Sequence, residues 1–251
     1  MFVIRNTQME VFRASALQKF EGEMMEHVAS FFPHHYRSMG EEATLSTIRL
    51  GYDRAKSYGF RTRRSVCLYL TNMLMLGSHF DCDPQYPWAS EILNDKMEQD
   101  PKERIDLLTD KSLEIFMQIS GERQIYLTRA LLVLLDNAGS IFKRLSRGGL
   151  KSALINLNRI FPRRYQAIGE PALRQLIIHG TDRAGKYGIR VESDVSIYIV
   201  FMFLMGSGFD RDPQFPWVGE VLNDAGVADQ GEKIGLLYHR ATDKLKSLLS
   251  H

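Results

Sequence analysis

Apolar residues recur along most of the chain at the spacing of an α-helix. From Met9 to Val28 they fall near every third or fourth position, which predicts a helix that begins at Asn6 or Thr7 and ends at about Phe32. Asparagine and threonine favour the position before a helix because their side-chain oxygens accept a hydrogen bond from a free N–H group of its first turn.

The same periodicity continues through the rest of the chain. Gly59 and Gly188 each follow an amphipathic stretch, as expected where a helix ends in a left-handed residue. Alternating strand patterns are unconvincing, and only residues 1–5 (MFVIR) offer a short candidate strand. We therefore predict an all-α protein. Its further elements are a turn or short helix from Pro33 and helices at residues 41–58, 63–76, 87–94, 102–119, 170–187, 192–205 and 232–249.

A shift of 129 positions aligns the chain with itself. Residues 31–95 share 30 identities in 65 positions with residues 160–224, without a gap. This period exceeds the roughly 20–50 residues of solenoid repeats, so each copy has the size of a domain. We predict two tandem homologous helical domains, residues 1–122 and 123–251, related by a pseudo-twofold axis. The apolar helical segment at about 123–136 is expected to join them rigidly.

Composition narrows the classes of protein. The 32 basic and 30 acidic residues nearly cancel, which argues against a nucleic-acid-binding protein because such proteins carry a concentrated basic excess. The longest apolar runs, such as residues 198–206, are far shorter than the roughly 20 residues of a membrane span. Cys67 and Cys82 have no counterparts in the second copy, so a disulfide framework is not expected and a cytoplasmic protein is predicted.

One loop occurs twice, as "FDCDPQYPW" at residues 80–88 and "FDRDPQFPW" at residues 209–217. Paired aspartates are possible ligands of calcium or magnesium. Aspartate and proline also suit the start of a helix, where they cap it and occupy its first turn, and this structural role is favoured. The predicted structural signature is Asp81, Asp83, Pro84, Pro87, Trp88, Asp210, Asp212, Pro213, Pro216 and Trp217.

A second duplicated group stands on the helix before the loop. Arg54 and Tyr58, with Arg183 and Tyr187 in the second copy, are four residues apart and share a helix face. Such arginines are candidates for binding a partner's carboxylate or phosphate. The favoured alternative is a buried ion pair with an acid of the same domain, such as one of the loop aspartates.

The two copies differ at several polar positions. His34 and His35 stand where the second copy has Arg163 and Arg164. Because these changes leave the apolar pattern intact, we expect them on the surface, where the two halves would face different partners. No histidine is duplicated and no glycine-rich phosphate loop or nucleophile motif occurs. We therefore predict no catalytic, cofactor-binding or metal-binding residues and no enzymatic activity.

Three segments resemble a known group of proteins. "FFPHHYRSMGEE", "YDRAKSYGFRTRRSVCLYLTNMLMLGSHFDCDPQYPW" and "ILND" are similar to small helical accessory proteins encoded in bacterial type VI secretion effector loci, beside spike proteins, adaptor-chaperones and toxic effectors. The resemblance implies a non-enzymatic chaperone or co-adaptor that binds an effector toxin or its adaptor-chaperone, without a cofactor. An immunity protein that neutralises a toxin, or a small-ligand or metal-binding helical protein, are the alternatives.

Overall fold

The computed structural model describes residues 6–95, 100–136, 150–151, 154–227 and 229–249. Every regular element within these ranges is helical and no strand occurs in them, which confirms the all-α prediction. The candidate strand at residues 1–5 lies outside the described residues. No described helix is long and apolar enough to cross a membrane.

The first half of the chain, up to the glycine at 121, contains five α-helices among its described residues. Gly40 has non-helical backbone angles (φ 79°, ψ 174°) and kinks the second helix, so the two predicted elements on either side of it form one bent helix. The elements are α1 (Asn6–Phe31), α2 (Pro33–Ser57), α3 (Arg63–Leu76), a 3₁₀ turn (Phe80–Cys82), α4 (Pro87–Asn94) and α5 (Pro101–Ser120).

The second half repeats this order after a connecting helix. Gly169 (φ 79°) separates two helices at the position equivalent to the kink at Gly40. The elements are a 3₁₀ turn (Glu122–Gln124), α6 (Ile125–Asp136), α7 (154–160), α8 (Pro162–Ile168), α9 (Glu170–Lys186), α10 (Glu192–Met205), a 3₁₀ turn (Phe209–Arg211), α11 (Pro216–Leu222) and α12 (Gln230–Leu249).

Among the described residues, the buried apolar side chains form two separate clusters. One runs from Met24 to Leu108 and the other from Ala130 to Leu237, so each half of the chain has its own core. In the first cluster, α3 packs so closely on α2 that a Cβ added to Gly51 would lie 2.8 Å from the Met73 sulfur. The second has the same close approach at Gly180.

Two further helix pairs join the halves. α5 of the first half packs on α8 of the second, and α12 of the second packs on α2 of the first. Under the shift of 129 positions, α5 corresponds to α12 and α8 corresponds to the first turns of α2. The two contacts therefore exchange equivalent elements between the halves.

Candidate functional site

The first aspartate of the loop at residues 80–88 is buried within its own half. Asp81 accepts hydrogen bonds from Arg54 Nη1 at 2.6 Å and from the hydroxyls of Tyr58 and Tyr69, each at 3.0 Å. The same guanidinium nitrogen of Arg54 donates to the carbonyl of Ser78 at 3.1 Å. This ion pair ties the loop to α2, and it uses the arginine that the sequence also offered for partner binding.

The second loop repeats the ion pair and one of the two tyrosine bonds, whereas the hydroxyl of Tyr198, the counterpart of Tyr69, makes no hydrogen bond among the described residues. Asp210 accepts from Arg183 and, at 2.9 Å, from the Tyr187 hydroxyl. Burial, followed by the nearby Asp210 carboxylate, raises the pKa of Tyr187 to about 12. Burial, followed by the nearby Asp81 carboxylate, likewise raises the pKa of Tyr58. Both phenols therefore stay protonated near neutral pH and serve as donors to the carboxylates.

The second aspartate of each loop extends into the opposite half. Asp83 accepts a hydrogen bond from the backbone N–H of Ser207 at 2.7 Å. Asp212 accepts from the backbone N–H of Ser78 at 2.8 Å and from its hydroxyl at 2.6 Å. All four residues are buried. Each loop therefore satisfies polar groups of the other half that water cannot reach.

The glutamine of each loop makes a matching contact. Gln85 Nε2 donates to the Met202 carbonyl at 3.0 Å, and Gln214 Nε2 donates to the Met73 carbonyl at 3.0 Å. These carbonyls lie in the last turns of α10 and α3, and each also accepts a hydrogen bond from the backbone N–H of the glycine that ends its helix, Gly206 or Gly77, at 2.9 Å. Each glutamine thus adds a second hydrogen bond, from across the interface, at the C-terminal end of a core helix.

Two glycines let the halves approach closely enough for these bonds. Gly77 and Gly206 have φ values of 99° and 97°, in the region that favours glycine. A Cβ on Gly77 would lie 3.1 Å from the Met205 carbonyl oxygen, and the two glycine Cα regions face each other. We call the following residues the clasp: Gly77, Ser78, Asp83, Gln85, Gly206, Ser207, Asp212 and Gln214.

The expected helix-capping role of the loop aspartates describes part of this geometry. Asp83 Oδ1 does accept from a following backbone N–H, that of Gln85, at 2.8 Å. The residue that precedes α4, however, is Tyr86, and no side chain caps that helix. The prolines are placed as predicted, with Pro87 and Pro216 in the first turns of α4 and α11. The remaining signature residues, Pro84, Pro213, Trp88 and Trp217, are half-buried around the loops.

Sequence reasoning missed the clasp partners. Gly77, Ser78 and Gln85 were not singled out, although all three recur unchanged in the second copy. That identity was the available signal, because residues of ordinary surface type rarely need to stay the same in both copies without a shared contact.

The chemistry of the clasp carboxylates is that of hydrogen-bond acceptors. Burial raises the pKa of Asp83 and of Asp212, although the N–H donors around each carboxylate oppose the rise. Within the described part of the chain, no three His, Cys, Asp or Glu side chains are grouped so as to hold a metal ion. Burial also raises the pKa of the Cys82 thiol and of the Cys67 thiol, which reduces their reactivity as nucleophiles.

The four divergent polar positions occupy different environments. His34, His35 and Arg163 are exposed. Arg164 is half-buried; its Nη2 donates to the Tyr86 hydroxyl of the first half at 3.2 Å, and its guanidinium lies over the Phe203 ring at 5.2 Å. This residue therefore joins the two halves instead of facing solvent.

Arg163 stands beside an exposed apolar surface at the junction of α5 and α6. Its guanidinium lies 5.0 Å from the centroid of the Tyr126 ring. Met117, Ile125 and Tyr126 are 68%, 58% and 47% exposed. Leu132, two turns further along α6 from Ile125, is also exposed. We call Met117, Ile125, Tyr126, Leu132 and Arg163 the junction face.

Comparison of the chain with protein-family models, with curated protein sequences and with solved structures finds no match.

Proposed function

We propose that this protein is a non-enzymatic binding protein, a chaperone or co-adaptor that holds a type VI secretion effector toxin or its adaptor-chaperone in the cytoplasm of the producing cell. The observation that carries the proposal is the junction face. Aromatic residues, methionine and arginine are the types enriched at protein interfaces, and here they are exposed together. The resemblance of the sequence to accessory proteins of effector loci supplies the class of partner.

The junction face combines residues of both halves, and the duplication does not repeat it among the described residues. In the second copy, the position of Met117 is taken by Lys246, and that of Leu113 by Thr242. A shift of 129 positions places residues 125–134 of α6 ahead of Asn6, the first residue that the structure describes. The described residues therefore offer one such surface, and we infer that it binds one partner molecule.

The clasp supports a scaffold role for the duplicated loops. We infer that the two halves are domains related by a pseudo-twofold axis, since each clasp contact has a counterpart 129 positions away. In this arrangement the loop aspartates form hydrogen bonds within the protein, and so do the guanidinium groups of Arg54 and Arg183. Arg54 and Arg183 hold each loop to its own half. Asp83 and Asp212 bond to the opposite half, which fixes the relative position of the halves and with it the shape of the junction face.

The test is co-expression with the effector and with the adaptor-chaperone encoded beside the gene, followed by pull-down on the tagged partner. Met117→Lys places a charge at the most exposed apolar residue of the junction face, and we expect at least a tenfold loss of binding. The matched control is Ile178→Lys on α9, because Ile178 is equally apolar and 63% exposed but lies outside the face. Equal binding by both variants, with both folded, would refute the proposed surface.

A second measurement separates delivery from neutralisation. Deleting the gene from the producing strain removes a chaperone, so secretion of the effector should fall while the strain itself survives. If the deletion instead makes the strain sensitive to the neighbouring toxin, and expression of the protein restores growth, the immunity role replaces the proposed one.

A further inference from the structure

Positions 79 and 208 are equivalent in the two copies, but they hold a histidine and a glycine. Each directly follows the serine of the clasp. His79 is buried, and its ring packs against Gly208 of the opposite half, where a Cβ would lie 2.7 Å from the Cβ and Nδ1 of the histidine. The ring of one half therefore fills the space that the other half leaves by having no side chain.

The space holds one ring and not two. Ser78 and Ser207, which directly precede His79 and Gly208, are hydrogen-bonded to the carboxylates of Asp212 and Asp83 in the opposite half. These bonds restrain the two backbones from moving apart. A histidine at both positions would overlap, whereas a glycine at both would leave a void of about one imidazole. Overpacking and void formation each destabilise a packed interface.

A second pair of equivalent positions is also unlike. Tyr86 accepts a hydrogen bond from Arg164 across the interface. The equivalent positions in the other copies are Phe215, which has no hydroxyl, and His35. This bond therefore forms between the loop of the first half and α8 of the second. Two first halves would bring together the tyrosine hydroxyl and His35, and two second halves would bring together Arg164 and a phenylalanine without a hydroxyl.

We propose that the clasp is a self-excluding interface: the surface of the first half fits the second half and rejects another copy of itself, because His79 needs a glycine opposite. The partner that this surface takes is a half carrying glycine at the position of Gly208. Two first halves from different chains would set His79 against His79, so the protein does not associate through like halves.

The test compares Gly208→His, His79→Gly and the double swap in the full-length chain. Gly208→His should lower Tm by about 5 °C or more. Overpacking costs about 1–3 kcal/mol, and each kcal/mol shifts Tm by about 2–4 °C in a chain of 150–250 residues. His79→Gly should lower Tm by less. The double swap restores one ring and one glycine, so its Tm should lie above that of Gly208→His by at least half of the loss.

The control is Gly185→His, because Gly185 lies within α9 and no atom comes within 4 Å of a Cβ added there. Its Tm should stay within about 2 °C of the unmodified protein. If Gly208→His fails to fold, recovery of a folded monomer by the double swap still supports the proposal. A double swap as unstable as the sum of the two single variants, or one that does not fold, overturns it.

Discussion

The two clasp loops share their contacts and differ in the residues between those contacts. Asp83 and Asp212 both extend into the opposite half, and Gln85 and Gln214 both bind the end of a core helix there. Yet His79 faces Gly208, and exposed Cys82 corresponds to exposed Arg211. The two copies thus agree where a buried polar group has a single available partner.

This difference shows what a duplicated interface must retain. A buried N–H or carboxylate that loses its partner lowers the unfolding free energy by about 1–3 kcal/mol for each group. Substituting a clasp residue therefore destabilises the fold. A residue that packs against its own equivalent is under a different constraint, because one copy is free to become large where the other becomes small. Duplication within one chain allows this asymmetry, which two identical subunits do not have.

The largest expected effect comes from removing a clasp carboxylate. Asp83→Ala strands the N–H groups of Ser207 and Gln85, and Asp212→Ala strands those of Ser78 and Gln214. At about 1–3 kcal/mol for each stranded group, each variant should lose about 2–6 kcal/mol of unfolding free energy. Urea unfolding measures it. Asp182→Ala, at an exposed aspartate four residues from Lys186, is the control and should change little. Unequal losses, with one loop tolerant, would break the equivalence of the two loops.

The next effect is a pH dependence that only the first loop contributes. Burial, then the nearby Arg54 and Arg211, lower the pKa of His79 to about 3, against an ordinary value near 6.5. Arg183 disfavours the charged ring as well, and Asp210 favours it. Below pH 6.5 the unfolded chain binds a proton that the folded chain does not, so stability falls as pH falls, by about 1.4 kcal/mol per pH unit.

The measurement is the difference in unfolding free energy between the unmodified protein and His79→Gly at pH 7 and pH 5. We expect the difference to shrink by about 2 kcal/mol at the lower pH. Taking the difference cancels the opposite contribution of Asp83 and Asp212, whose raised pKa stabilises the folded state as pH falls. A difference independent of pH would show that the pKa of His79 is the same in the folded and the unfolded chain.

A smaller effect tests the bond that forms only once. Tyr86→Phe gives the first loop the residue found in the second and removes the acceptor of Arg164. The loss should be about 1 kcal/mol, the usual net value of one hydrogen bond. Phe215→Tyr is the reciprocal variant and should gain nothing, since the equivalent of Arg164 is His35. Thermal unfolding of both variants decides whether the asymmetry is real.

The smallest effect is expected at the exposed position of the loop. Cys82→Ser replaces an exposed thiol, a weak hydrogen-bond donor, that donates to the His79 carbonyl at 3.5 Å. Its unfolding free energy should stay within about 0.5 kcal/mol of the unmodified protein. A larger loss would mean that the variable positions of the loop also carry the clasp, contrary to the division described above.

Much of the fold follows from local sequence signals. α3 occupies the predicted residues 63–76 because Thr62 and Ser65 form a capping box at its start and Gly77 ends it. The pairing of Arg54 with Asp81 was a favoured alternative, since an arginine on a half-buried helix face needs an acid nearby. The contact of Asp83 with Ser207 was not predictable in this way, because it joins residues 124 positions apart and depends on how two finished halves meet.

The placement of Arg164 shows the same limit. The polar difference between the copies predicts that both Arg163 and Arg164 lie on the surface. Arg163 is indeed exposed. Arg164 is half-buried because α8 packs on α5 of the other half, which brings its guanidinium to Tyr86. Local periodicity records which residues are apolar, whereas an arginine with a long apolar stem covers a ring and reaches a hydroxyl without changing that pattern.

The connection through α6 also changes how the pairing of the halves responds to dilution. Two separate subunits pair only while their concentration exceeds the dissociation constant, and they lose translational and rotational freedom when they do. Halves joined by a short connection meet at an effective concentration on the order of millimolar, whatever the amount of protein present. A clasp made of a few polar bonds is therefore sufficient to keep the chain closed even where a cell holds only a few copies of it.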